Sequence, residues 1–228
     1  MQAAYTRENR MPQPAQSASY QICHYPATLI DTRAQAGIGR LTLRPVLPQD
    51  SPLLGALVNR LSAAARRNRF HGVVKLSPAS LAYMACVDYR SHLALVISTL
   101  VDGVESLVAD ARYVVQADGL SAEFALMVDD AWQHQGMGTW ALRSLQRAAA
   151  QAGVRQLHGD VMEANTPMLD LAQRCGYASV PASDGAGVLR IQRLLGADTE
   201  NRDLPAAARR HRLRWWPWRR PEAALATA

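Results

Sequence analysis

Lys75 is the only lysine among the 25 basic residues of this 228-residue chain. The cationic surface is therefore almost wholly guanidinium, a group suited to planar, bidentate contacts. Cysteine is equally scarce. Cys23, Cys86 and Cys175 form an odd, unpatterned set, which argues against a disulfide framework and against a zinc site. The Cys23-His24 pair on its own reads as incidental. No apolar run follows a basic start, so nothing marks a secretory signal. The longest apolar run, Leu93 to Val101, contains Ser98 and Thr99 and is far too short to span a bilayer. The compartment expected from these absences is the cytoplasm.

What charge there is lies unevenly. The formal net charge is +6, and the segment Ala206 to Arg220 holds six arginines and no acid, so the rest of the chain is formally neutral. The basic balance thus belongs to a tail and says little about the substrate of the body. In that tail, Arg209 to Arg220 interleaves Arg with Trp, a composition that suits anionic membrane surfaces or stacking on nucleic acid. The hydrophobic share of 49% is ordinary for a globular protein. Length and composition fit one domain with tails: an arm at 1–37, polar and without sustained periodicity, a domain at 38–196, and the basic tail at 197–228.

The stretch that organises the domain is Leu120 to Gly153. Ala122 to Val128 reads as a strand ending at Asp129-Asp130. Gly136 and Gly138 then open a helix with Met137, Trp140, Ala141, Leu145 and Ala148 on one side and Arg143, Arg147 and Gln151 on the other. Gly153 closes it, as a residue that accepts positive φ. A strand, a glycine turn and a helix N-terminus make an anion site, because several N–H groups are unused there and no side chain blocks a phosphate. Gly136-x-Gly138-x-x-Ala141, with Asp160 downstream, also fits a dinucleotide fingerprint. Against that reading, Asp129 to Gln135 intervene between strand and glycine, and only one further strand–helix unit follows. A third reading makes the glycines a tight turn with no ligand.

Around this stretch the chain alternates as an α+β fold with a mixed sheet. Ile38 to Val46 reads as a first strand. Asp50-Ser51-Pro52 starts a helix that runs to about Leu61. Ser62 to His71 reads as a short basic helix or turn, and Ser77-Pro78 starts another helix. Ser91 to Leu100 and Glu105 to Val115 read as strands joined at Asp102-Gly103, and Val188 to Leu194 as a last strand. Alternation places Glu123 opposite Phe124, Leu126 and Val128, on the side of Ala125 and Met127. A carboxylate in so apolar a setting has its pKa raised toward values useful to a base. The plainer alternative is a strand glutamate that pairs with Arg112 or faces solvent.

Gln133-x-x-Gly136-x-Gly138 resembles the pyrophosphate-binding motif of the GCN5-related N-acetyltransferases (GNAT). The strand Val154 to Met162, the Asn165-led helix through Met168 and Leu171, and Gly176-Tyr177 resemble that family's next elements. The resemblance covers about Gly39 to Leu195, and within the family it looks most like the acetyltransferase domain of bacterial protein-lysine acetyltransferases. It implies a GNAT fold whose central strand splays from the next one, and acetyl-CoA as the co-substrate. It further implies that Gln133, His134, Gln135, Gly136, Met137, Gly138 and Thr139 hold the pyrophosphate. Backbone near Met127 and Val128 would bind the thioester oxygen, and Asn165 and Met168 would lie along the pantetheine arm. Glu123 matches a central-strand glutamate that acts as general base. The two-helix region forms the acceptor wall in that family, which makes Arg69, Phe70 and His71, with Arg66 and Arg67, candidate substrate contacts. Their alternative is a solvated cationic face with Phe70 buried.

One position departs from the pattern. Many members carry a tyrosine one turn before the Gly-Phe or Gly-Tyr pair to protonate the departing thiolate, and here that place is Ala172. Either the thiolate leaves unprotonated or another group such as Tyr177 serves. The acceptor implied is a primary amine, with a protein lysine among the candidates. The competing expectation is a degenerate fold that binds or senses acyl-CoA without turnover.

Overall fold

Alternating apolar residues give the strands two faces, and helices cover both. The computed structural model describes residues 24–35, 39–70, 76–182 and 187–196. His71, Ile38 and the basic tail fall outside the described residues. Eight strands form one sheet in the order β1-β2-β3-β4-β5-β6-β8-β7. They are β1 (Asp31–Gln35), β2 (Gly39–Pro45), β3 (His92–Val101), β4 (Val104–Val115), β5 (Ser121–Val128), β6 (Gln156–Met162), β7 (Ala178–Pro181) and β8 (Val188–Leu194). Every neighbouring pair is antiparallel except β5 with β6. The helices are α1 (Ser51–Arg60), α2 (Ala63–Phe70), α3 (Pro78–Ala85), α4 (Met137–Gln151) and α5 (Thr166–Arg174).

Local chemistry accounts for most of the boundaries. The β3–β4 turn is two residues long, with Asp102 at φ 52° and Gly103 at φ 78°, the left-handed pair that a type I′ hairpin requires. The hydroxyl of Ser77 accepts from the Ser80 N–H and caps α3, with Pro78 just inside. The Asn165 side chain accepts from the Met168 N–H and caps α5. Gly153, at φ 83°, ends α4.

Two cores lie on opposite faces of the sheet. On one, Met137, Trp140, Ala141, Leu145 and Ala148 of α4 pack on Leu95, Ala111, Phe124 and Leu157. On the other, Leu54, Leu57 and Val58 of α1 and Met84 of α3 pack on Val96, Leu107 and Met127. A register shift between Ile97 and Ser98 lets β4 keep both faces filled.

Two strands depart from the sequence reading. The arm expected over 1–37 contains β1, an edge strand paired with β2 from Asp31↔Leu43 to Gln35↔Gly39. Its sequence, DTRAQ, has no apolar alternation to announce it. Tertiary contacts hold it: Trp140 Nε1 donates to Asp31 Oδ2 at 2.9 Å, and the Arg33 guanidinium lies 4.3 Å from the centre of the Trp140 ring. The other edge strand, β7, is four residues ending in proline, and it forms only because β8 lies beside it.

Candidate active site

Parting of β5 from β6 creates the site. Their parallel ladder covers only Ser121↔Gln156, Ala122↔Leu157 and Glu123↔His158. Beyond Glu123, β5 stays paired with β4 to Val128, and β6 stays paired with β8 to Met162. At the fork stands Gly159, where a Cβ would lie 3.1 Å from the Phe124 carbonyl oxygen and 3.3 Å from its ring. The missing side chain is what lets Phe124 lie across the fork and stack near Tyr177, with ring centres 5.1 Å apart.

A cavity of about 640 Å³ opens at this fork. That is within the range of pockets that enclose small ligands. β5 lines it from Glu123 to Val128, and β6 contributes Gly159, Asp160 and Val161. Asn165, Met168 and Leu171 close it from α5. Arg69 and Phe70 close it from α2, with Asn68 beside them.

One end of the cavity is the start of α4. Gly136 sits at φ 85°, with nothing within 4 Å of the position its Cβ would take. At Gly138 a Cβ would meet Leu171 Cδ2 at 2.9 Å, so the glycine keeps α4 and α5 close. Unlike α3 and α5, α4 has no side-chain cap at its N-terminus. Its first N–H groups have no intrahelical acceptor and carry the positive end of the helix dipole. An uncapped, dipole-positive helix end facing a cavity fits a pyrophosphate.

Side chains in the approach to this turn mostly brace it. Gln133 Nε2 donates to the Val128 carbonyl at 3.2 Å, and Gln135 Nε2 to the Ala131 carbonyl at 2.8 Å. His134 is exposed and takes φ 59°. Gln133, His134, Gly136, Gly138 and Thr139 line the cavity. Gln135 and Met137 do not; Met137 is buried in the core, and each could serve a ligand only through its backbone.

The opposite wall is polar underneath. The parallel pairing puts Glu123 and His158 on one face of the sheet, and the β4 register puts Asp110 and Arg112 on that face too. Arg112 Nε and Nη2 meet Asp110 Oδ1 and Oδ2 at 2.9 and 2.5 Å, with both side chains essentially out of solvent. Arg112 Nη1 donates to the Met84 carbonyl at 3.0 Å. The guanidinium that sequence reading offered to Glu123 is therefore taken by Asp110 and α3.

Arg69, a candidate substrate contact with a solvated cationic face as the alternative, is buried and lines the cavity, with its guanidinium carbon 4.9 Å from the centre of the Phe70 ring. Burial pulls its pKa down to about 10, although Asp110 and Glu123 attract its charge. The setting of Glu123 is thus less apolar than alternation suggested. Arg66 folds back on the end of α1, donating to the Leu61 and Asn59 carbonyls at 3.0 Å each. Burial, reinforced by Arg112, lowers His92 to about 4, and burial with Arg190 does the same to His158. Both imidazoles are neutral at pH 7. Sequence patterns missed Asp110, which holds Arg112 two residues along the same strand, and Gly159, which packs against Phe124 of the neighbouring strand.

Ala172 is buried in the core. Tyr177 does not line the cavity; its ring packs on Phe124, and burial raises its pKa. It is badly placed to reach a leaving group there.

Residues 56–177 match the model of the acetyltransferase (GNAT) family. An acetyltransferase of Pseudomonas aeruginosa is 30% identical over 155 residues, which are 68% of this chain and 80% of that protein. The acetyltransferase Pat of Mycolicibacterium smegmatis is 33% identical over 137 residues, and this chain spans only 40% of its length. Among solved structures, the GNAT domain of Streptomyces lividans PAT superposes with a TM-score of 0.67 at 24% identity, covering 75% of this chain and all of that domain. The yncA protein of Salmonella typhimurium, solved with its cofactor acetyl-CoA, superposes at 0.53 with 16% identity, covering 70% of this chain and 96% of that one. With the splayed β5–β6 pair and the glycine turn before α4, these likenesses make the chain an acyltransferase that belongs to the GNAT acetyltransferase family.

Proposed function

We propose that the chain transfers an acetyl group from acetyl-CoA to a primary amine, a protein lysine being the foremost candidate, by direct attack on the thioester. One observation carries this reading: the uncapped N-terminus of α4 and Glu123 of β5 open into the same cavity, at the point where β5 leaves β6.

When bound, acetyl-CoA supplies the acetyl group as an activated thioester. The backbone N–H groups from Gln133 to Thr139 hold the pyrophosphate. Asn165 and Met168 flank the pantetheine arm from α5. Of Met127 and Val128, Val128 has the backbone N–H that points away from β4 into the cleft, and it donates to the thioester oxygen, a contribution of roughly 3 kcal/mol for a well-aimed donor. Glu123 takes a proton from the incoming ammonium, whose pKa near 10.4 otherwise keeps it unreactive at pH 7. Arg69 and Phe70 bound the acceptor's approach from α2. With Ala172 and Tyr177 out of reach, the thiolate departs unprotonated, which a thiol pKa near 8.5 permits. Orientation of two reactants in one cleft can supply roughly 7–11 kcal/mol. Lysine as acceptor rests on the resemblance to bacterial protein-lysine acetyltransferases, and acetyl-CoA as donor is suggested by the Salmonella neighbour.

Thermal unfolding with and without acetyl-CoA, with NADH as control, tests the donor. A ligand at 100 times its dissociation constant stabilises by about 2.7 kcal/mol. Protein acetylation in a lysate then tests the acceptor, with Glu123→Gln expected to retain donor binding and lose about 10²- to 10⁴-fold in turnover. Lysine acetylation no higher with the wild type than with Glu123→Gln would refute the lysine reading. Acetyl-CoA binding without release of CoA in any amine would favour a sensing module, for which Ala172 is the supporting feature.

A further inference from the structure

The loop between β5 and α4 carries two aspartates that the donor cradle does not use. Asp129 follows β5 directly and is buried; its Oδ2 accepts from Arg60 Nε at 2.6 Å, while Arg60 Nη2 reaches the Leu107 carbonyl at 2.6 Å. Asp130 opens a short 3-10 turn (Asp130–Trp132) and accepts twice from one residue. The Ser62 N–H reaches Oδ2 at 2.9 Å, and the Ser62 hydroxyl reaches Oδ1 at 2.8 Å. That hydroxyl also accepts from the Ala65 N–H at 3.1 Å, so Ser62 caps α2 and is oriented by Asp130 at once. Arg60 and Ser62 flank Leu61, which is anchored in the α1–α3 core.

Three hydrogen bonds therefore tie the α1–α2 junction to the loop that ends in Gly136, and a fourth ties Arg60 to Leu107 of β4. Ser62 and Asp130 both line the cavity, between the glycine turn and the α2 residues Arg69 and Phe70. α2 is two turns long, too short to hold its own geometry without its cap. Ordering the loop at its Gly136 end fixes Asp130, and Asp130 fixes the first turn of α2.

The geometry points to Asp130 as a positioning residue that couples occupancy of the α4 cradle to the acceptor wall, so that binding the acetyl donor orders α2 beside Glu123. The coupling rests on the donor occupying that cradle as proposed above. Its two ends are a phosphate at the backbone of α4 and the side chains of α2 that an acceptor amine would pass. Arg60 with Asp129 supplies the fixed hinge, and Asp130 with Ser62 the responsive contact.

Calorimetry with acetyl-CoA on the full chain comes first, followed by amide exchange with and without saturating acetyl-CoA. In the wild type, acetyl-CoA slows exchange at 130–139 and also at 62–70, the latter by a factor within the usual coupling range of about 5 to 150. Asp130→Ala keeps acetyl-CoA binding and the slowing at 130–139 but loses the slowing at 62–70. Asp130→Asn restores it, because its oxygen accepts from the Ser62 N–H while its amide donates to the second lone pair of the Ser62 hydroxyl. Ser62→Ala, which removes one bond of the pair, gives an intermediate loss. Slowing at 62–70 that persists in both Asp130→Ala and Ser62→Ala, or that is absent from the wild type despite binding, overturns the coupling alone. Absence of any acetyl-CoA binding in the wild type instead removes the donor reading, and the coupling falls with it.

Discussion

Replacing Asp110 by asparagine leaves the Arg112 guanidinium buried with only part of its hydrogen bonding, and the cost follows from the geometry. In the native fold Asp110 meets Arg112 at two points, 2.9 and 2.5 Å, with both side chains no more than 2% exposed. Breaking a buried pair from one side costs about 3–5 kcal/mol, since the orphaned charge keeps its desolvation penalty. Asparagine retains one acceptor and belongs near the lower end; leucine belongs near the upper. For a domain of 150–250 residues each kcal/mol lowers the midpoint by about 2–4 °C, so the expected loss is about 6–20 °C. Arg69 adds to the effect, because Asp110 is the strongest attraction its buried charge has. The double variant Asp110→Leu with Arg112→Met removes both charges and recovers a large part of the single variant's loss, though the Met84 carbonyl then lacks its Arg112 donor. Thermal and urea unfolding followed by far-UV circular dichroism measure these three and the single Arg112→Met. A loss under about 1 kcal/mol for Asp110→Asn, or a double variant no better than the sum of the two singles, would refute a desolvated ion pair as the core of this wall.

The histidines predict a pH response. His92 and His158 have folded pKa values of about 4 against 6.5 in the open chain, so the unfolded state binds protons first as pH falls. Their contribution is complete above pH 6.5 and is lost between 6.5 and 4, on the order of 3 kcal/mol each. Urea midpoints measured from pH 7.5 to 4.5 will show a fall that is shallower in His92→Gln. Gly138→Ala pushes a methyl toward Leu171 Cδ2, 2.9 Å from the Cβ position, but that atom ends a flexible, half-buried side chain and alanine favours the helix, so thermal unfolding will show a change under about 1 kcal/mol. Gly136→Ala meets no atom but must hold φ 85°, a strain of about 1–2 kcal/mol read as a lower unfolding midpoint. Trp140→Phe removes the bond to Asp31, and amide exchange at Asp31–Gln35 will speed up by tenfold or more, for a loss of about 1.5–3 kcal/mol in holding β1.

Elements whose signals are local were legible before any coordinates. The face of α4, the turn at Asp102-Gly103, the caps at Ser77 and Asn165, and the span of β8 follow from 3.6-residue or two-residue periodicity and from turn chemistry. So did the glycine turn before α4, because backbone freedom and an uncapped helix end are properties of neighbouring residues. What distant residues do to one another was not legible. Strand β1 carries no apolar pattern and is held by the β2 ladder and Trp140, 109 positions from Asp31. Arg69 reads as one more solvated arginine, yet the packing of α2 over the sheet buries it. Asp110 and Arg112 sit two apart in a strand pattern that gives no hint of their burial beneath α3. Ser62 and Asp130 are 68 residues apart and meet only because β5 ends beside the α1–α2 junction. The sequence by itself determined the helix and strand that bear the cradle and Glu123, since periodicity and short-range motifs encode them, and its resemblance to the acetyltransferases pointed to the family and to the missing tyrosine at Ala172. Only the tertiary structure decided which charges are desolvated, where the sheet forks and what braces the cavity, because those depend on Coulomb and packing terms between segments that the chain brings together only on folding.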